Sequence, residues 1–330
     1  MSELFEQRRR EPLLQEVYYE QSVNFKEKNL ADPEIDAMLT DLSIDNARRK
    51  RTSWRRAYKS LELLIQRYSG GAPLADLEAY AARAFAQFQR HYAAFSDAKL
   101  KLWEPDAYQY VMWLLSLAVL LGLKEWVPTI ATWISTDPED GQDVLVSRLF
   151  GRLGVSLPGE SLIHDKPYAD LLRATETHGE AQQQAMANYL KRWYGGMKDC
   201  YWFDLHKERT DAGFFGYWSF EAGLVTLLWG IDDGSYREMR FYPKDLADFG
   251  REQAMAPQGE VQKPHISRRT GERCPYAGRW GVLESPGAFV QERMFRKGDV
   301  FPEGIGRDRQ EGPVTWIVMG REDGGPTREA

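Results

Sequence analysis

Residues 45–71 read DNARRKRTSWRRAYKSLELLIQRYSGG, and this stretch decides the fold class. With Ile44 ahead of it, Ala47, Trp54, Tyr58, Leu61, Ile65 and Tyr68 recur at spacings that place them on one face of an α-helix, and Gly70-Gly71 stops it. Within residues 45–60, Arg48, Arg49, Lys50, Arg51, Arg55, Arg56 and Lys59 stand against a single acid, Asp45. Trp54 and Tyr58 fall on the apolar stripe, so the charges are expected on the solvated back of an amphipathic helix. The rival reading is a helical nucleic-acid-binding protein using residues 48–59, with basic groups tracking phosphates and aromatics stacking on bases.

Helical signals extend outward from this segment. Asp32, Pro33 and Glu34 give an N-cap followed by proline at the first helical position. Beyond Pro73, Leu77, Tyr80, Ala81, Phe85 and Phe88 form another stripe. Tyr110–Leu123 is an apolar run of 14 residues between Asp106 and Lys124. A membrane span needs about 20 such residues, so a buried core helix is expected instead. Shorter helices are expected over 125–134, 144–153, 168–176, 180–194 and 217–229, with another opened by a capping box at Ser235 and Glu238. Helices joined by polar turns without strands between them predict a bundle or a helical-hairpin stack.

The Gly- and Pro-rich loop 154–167 suggests a first boundary, and the basic, punctuated segment 256–278 a linker. Trp280–Leu283, Phe289–Phe295 and Val314–Met319 are short β-prone runs separated by turn residues. The expected organisation is mainly α: a helical domain over 1–160, a second over 161–255, and over 256–330 a linker with a small antiparallel appendage of about three strands.

Composition narrows the function. Across 330 residues, 43 basic and 49 acidic side chains leave a net charge of −6, the opposite of the basic excess usual in nucleic-acid binders. Cys200 and Cys274 lack the spacing of a disulfide framework or a zinc site. No export signal follows the first charges, so a cytoplasmic location is expected. Phosphate-loop, dinucleotide, G-x-S-x-G and H-E-x-x-H patterns are absent, and neither cofactor nor metal is expected. An enzyme with a carboxylate/histidine site around Glu221, Asp204 and His206 is the other rival; His206 with Cys200 and Asp204 is the only arrangement that resembles a nucleophile–base set.

The densest chemistry lies in residues 196–250, where 13 aromatics and ten carboxylates meet six Lys and Arg. Tyr217, Glu221, Leu224 and Leu228 share a helical face, which puts Glu221 among apolar neighbours. Such a carboxylate must find a cation or hydroxyl inside the protein, or point into a groove. The other acids cluster at turns and are expected to be exposed, Asp232 and Asp233 among them. Carboxylates beside aromatic anchors suit a basic protein partner. The candidate partner-binding residues are therefore Asp199, Asp204, Asp211, Tyr217, Trp218, Glu221, Asp232 and Asp233.

Trp193-Tyr194, Lys198-Asp199, Trp202, Asp204, His206-Lys207, Gly216–Ala222, Gly230–Asp233 and Tyr242-Pro243-x-Asp245-Leu246 together resemble the second domain of the PoNi-type immunity proteins. These are antidotes to secreted bacterial polymorphic toxins, often DNases delivered by type VI secretion. The resemblance covers roughly residues 185–250 and implies a helical domain ahead of it. The tail, with Cys274-Pro275, Trp280, Gly298-Asp299 and Thr315-Trp316, looks like a module seen in other immunity proteins. The implied function is non-catalytic: tight binding to the basic nuclease domain of a cognate toxin, blocking its active site, with neither membrane nor nucleic acid as a direct partner.

Overall fold

Asp32 accepts a hydrogen bond from the Glu34 amide at 2.9 Å and Pro33 follows it, so a helix begins where the cap residues place it. In the computed structural model, which describes residues 3–208, 213–255, 266–285, 288–305 and 311–325, this helix is α3 (Pro33–Thr40). Before it come α1 (Glu3–Arg8) and α2 (Glu16–Leu30). After it come α4 (Asn46–Ser69), α5 (Leu74–Ala94), α6 (Pro105–Leu120), α7 (Val127–Trp133), α8 (Val144–Arg152), α9 (Asp165–Ala174), α10 (Gly179–Gly196), α11 (Phe220–Trp229) and α12 (Lys244–Met255). All strands follow: β1 (Ser267–Arg269), β2 (Gly278–Ser285), β3 (Ala288–Phe295), β4 (Gly304–Ile305), β5 (Glu311–Gly312) and β6 (Thr315–Arg321). The protein is mainly α with a small β appendage, as the sequence pattern indicates.

The chain divides into two compact units, each discontinuous in sequence. One comprises Met1–Val23, Ser69–Gly71 and Gln89–Met255; the other comprises Asn24–Tyr68, Ala72–Phe88 and Ala256–Ala330.

The first unit is organised around α6, whose residues are buried from Ala107 to Leu120. A helix apolar on all sides needs neighbours on all sides. Helices α11 and α12 supply two of them, and glycines let them come close. A Cβ at Gly250 would lie 3.0 Å from Leu120 Cδ2, and one at Gly223 would lie 3.3 Å from Leu120 Cδ1. Helix α6 ends at Gly122, whose positive φ turns the chain so that the Leu123 amide bonds the Ala118 carbonyl at 2.7 Å. The apolar run is thus a core helix, and among the described residues no helix is long and apolar enough to cross a membrane. Helices α9 and α10 pack against each other as a hairpin across the turn 175–178.

In the second unit the C-terminal part of the stripe read from α4 is buried, at Leu61, Ile65 and Tyr68, together with Ala57 and Leu64, whereas Ile44, Trp54 and Tyr58 are half-buried and Ala47 is exposed. Trp54 meets Phe88 edge-on at 5.6 Å. Arg48, Arg51 and Arg55 are exposed, as expected of a solvated back. Arg56 is not: it shares a face with buried Ser53 and Ser60, and it reaches the Leu30 carbonyl at 2.6 Å and Asp36 at 2.8 Å. Glu27 on α2 gathers Arg67, Arg83 and Arg279, and Glu292 lies 3.4 Å from Arg83, so an ion network ties α2, α4 and α5 to β2 and β3.

The sheet is antiparallel in the order β1-β6-β2-β3, over a core of Ile266, Cys274, Trp280, Val282, Phe295, Phe301, Trp316 and Val318. Four strands replace the expected three. The addition, β1, lies within the expected linker; its Ser-Arg-Arg sequence has no apolar alternation and is paired only through β6. A second correction concerns Ser235, where no helix opens. Tyr236, Met239 and Tyr242 each donate an amide three residues back, to Asp233, Tyr236 and Met239, a chain of tight turns that ends at Pro243.

Candidate functional site

Glu221 sits in the first turn of α11 and is fully buried. The Tyr189 hydroxyl and Trp193 indole N–H, both from α10, donate to its Oε1 at 2.6 Å each, and the Ser219 hydroxyl adds a third bond at 3.0 Å. Burial pushes its acid group above the ordinary carboxylate range, while the bonds from Tyr189, Ser219 and Trp193 pull the other way. The carboxylate is held internally by hydroxyls and an indole, one of the outcomes foreseen, and it does not face a groove. Trp193 stacks on Trp202 at 5.5 Å, and Trp202 lies 5.6 Å from Trp113 of α6. An aromatic column therefore links α10, the 197–205 loop and α6.

A second set of contacts fixes the loop after α10. Asp204 adopts a left-handed φ of 61°, accepts from the Tyr194 hydroxyl at 2.6 Å and pairs with Lys207 at 2.8 Å. The bonds from Lys207 and Tyr194 hold its carboxyl below the ordinary range. His206 Nδ1 meets the Tyr217 hydroxyl at 2.8 Å. A third set holds the turn before α12. Asp233 bonds the Tyr242 hydroxyl at 2.8 Å and pairs with Arg237 at 3.1 Å and Arg251 at 2.9 Å, while Asp248 bridges the same two arginines.

The eight candidate residues are thus sorted by burial. Asp199 and Asp232 are exposed, and Asp204 is half-buried. Asp211 lies outside the described residues. Asp233, expected at the surface, is 7% exposed because two arginines and a tyrosine enclose it. Tyr217, Trp218 and Glu221 are also buried, at 2%, 6% and 0% exposure. Trp218 donates its indole N–H to Ser69 at 2.8 Å, and that serine caps the Phe215 carbonyl. These four side chains are buried within the chain.

The rival enzymatic arrangement is not assembled as a unit. Among the described residues no hydrogen bond joins Glu221 to Asp204 or His206, and burial pushes the Cys200 thiol up, away from its reactive thiolate form. No group of three His, Cys, Asp or Glu among the described residues is placed to hold a metal ion.

Two family models cover most of the chain. Residues 10–131 match the N-terminal part of the PoNe immunity proteins (PoNi), and residues 141–246 match the C-terminal part of the same proteins. The chain belongs to the PoNe immunity protein (PoNi) family. Membership brings an immunity function against a polymorphic nuclease toxin. The C-terminal match contains α8 to α11 and the beginning of α12, so the Glu221 cluster and the Asp204 loop lie inside it.

Among solved structures, the crystal structure of protein PA2201 from Pseudomonas aeruginosa is similar at 19% identity and a TM-score of 0.58, covering 74% of this chain and 92% of that one. That likeness shows a shared fold. No curated protein matches the chain.

In this PoNi-family chain three exposed aromatics among the described residues went unmarked by the sequence pattern: Phe25 (68%), Trp103 (51%) and Tyr201 (38%). The one available signal was position. Trp103 directly precedes the Glu104-Pro105 start of α6, where a large apolar side chain has no helical stripe to join.

Proposed function

We propose that this chain neutralises a DNA-cleaving toxin of the type VI secretion class in the cytoplasm, by covering the toxin's basic, DNA-facing surface. The observation carrying this reading is the match of both PoNi parts along residues 10–131 and 141–246. The charge balance supports it: an acidic protein of net charge −6 meets a cleft that must be positive to hold phosphates. Of the acids singled out by sequence, Asp199 and Asp232 remain at the surface to serve such contact, with Asp204 partly so. The Glu221, Asp204 and Asp233 clusters serve to hold that surface rigid, which lowers the ordering cost of binding.

The experiment is co-expression with the DNA-cleaving domain of a candidate cognate PoNe toxin. Cells carrying both should grow, and cells carrying the nuclease domain alone should die with degraded DNA. Equal killing in both strains, with this chain present in soluble form, would contradict the proposal.

A further inference from the structure

We propose that the exposed pair Trp103 and Tyr201, with the carboxylates around it, is the centre of the toxin-binding surface and receives Arg or Lys side chains of the nuclease. This rests on the immunity reading above and names its contact.

Both aromatics are held in place through their backbones. The Trp103 amide donates to the Asp140 carbonyl at 3.4 Å, and the Tyr201 amide donates to the Asp106 carboxylate at 2.9 Å. Asp106 is in the first turn of α6, three residues beyond Trp103, so the Tyr201 backbone is tied to the helix start that Trp103 precedes. The Tyr201 ring lies 6.1 Å from Tyr110, which lies 6.1 Å from Trp113, the α6 end of the buried aromatic column. The Tyr201 ring is therefore the outer edge of a rigid core, with little freedom left to lose on binding.

The surroundings are acidic. Asp137 is exposed, and Glu104 and Asp140 are partly so; all three act electrostatically on Lys101, which pairs with Asp140 at 2.9 Å. Asp199 is exposed two residues before Tyr201. Large aromatics ringed by carboxylates favour cationic groups twice, through the ring face and through charge. Nucleic acid is disfavoured at the same place, because its phosphates would meet these carboxylates.

The test uses the full chain and the catalytically inactivated DNA-cleaving domain of the candidate PoNe toxin that the full chain neutralises, with binding kinetics at low and moderate salt. Trp103→Ala and Tyr201→Ala keep both backbone anchors, so both variants should remain folded, with a modestly lower melting temperature for Tyr201→Ala, which loses its packing on Tyr110. Each should weaken binding at least about thirtyfold, mainly through faster dissociation. Asp137→Lys with Asp199→Lys, on exposed side chains, should slow association at low salt and carries the same test should an aromatic variant lose its fold. Binding by folded aromatic variants at wild-type strength, with association by the charge variant unchanged, would overturn this surface while leaving the immunity reading standing. A wild-type chain that does not bind the nuclease domain would overturn both.

Discussion

The Trp193 indole donates a hydrogen bond to Glu221 Oε1 at 2.6 Å, and so joins α10 to the first turn of α11 inside the part of the chain that the C-terminal PoNi model matches. A carboxylate buried this completely is tolerated because Tyr189, Trp193 and Ser219 all converge on one of its oxygens. Its removal should cost more than its charge suggests, since three buried donors lose their acceptor together.

Glu221→Ala should therefore lower stability by about 2–4 kcal/mol, whereas Glu221→Gln, which keeps an accepting oxygen, should lose much less. Denaturant unfolding of both variants measures this. The pH dependence has a definite sign. The folded protein holds the Glu221 proton more tightly than the unfolded chain does. Its contribution is full below the unfolded value of about 4.5 and is lost as pH rises through the higher folded value. The stability of wild type relative to Glu221→Gln should accordingly fall as pH rises above the unfolded value of about 4.5.

Glu27 should behave in the opposite way. Burial raises its carboxyl, but Arg279, Arg83 and Arg67 outweigh that and bring it down to about 2. The stabilisation is present above the unfolded value of about 4.5, is lost as pH falls toward 2, and amounts to about 3 kcal/mol. Glu27→Gln should remove it, so that wild type and variant converge in acid and diverge at neutral pH. Unfolding followed by tryptophan fluorescence across that range gives the comparison.

Gly216 sits at φ +110°, and a Cβ there would lie 2.1 Å from Ser69 Oγ. That hydroxyl bonds the Phe215 carbonyl and accepts the Trp218 N–H. Gly216→Ala is expected to cost about 2–4 kcal/mol through strain and loss of these bonds, while Gly230→Ala, with open space around it, should cost only the backbone strain of about 1 kcal/mol. Thermal melts of the two variants settle the ranking.

Neighbouring acids in one turn should part company. Asp232→Lys changes an exposed side chain and should leave the fold intact. Asp233→Lys places a third cation beside Arg237 and Arg251 and removes the acceptor of Tyr242, so it should destabilise by about 3–5 kcal/mol. Equal melting temperatures for the two would contradict the enclosed position of Asp233.

The helices were legible because their signals are local: Asp32-Pro33 opens one, Gly70-Gly71 closes another, and the α4 stripe needs only its own period. The interior position of Glu221 was legible for the same reason, since its apolar neighbours share its helix. What escaped depends on partners distant in sequence. Asp233 reads as a turn acid until Arg251 arrives from α12, and β1 is a strand only because β6 pairs with it. Ser235 and Glu238 match a capping box, but the turns to Pro243 use the amides that a helix would need. Trp103 and Tyr201 stand 98 positions apart, and tertiary contacts such as the bond from Tyr201 to Asp106 and the ring contact with Tyr110 bring their surroundings together.

Neutralisation itself is tested most directly by DNA cleavage in a purified system, with the nuclease domain held fixed and this chain titrated in. Cleavage should stop near equimolar addition, and it should do so equally well with Glu221→Gln. Undiminished cleavage at a large excess of folded wild-type chain would contradict an immunity role toward that toxin.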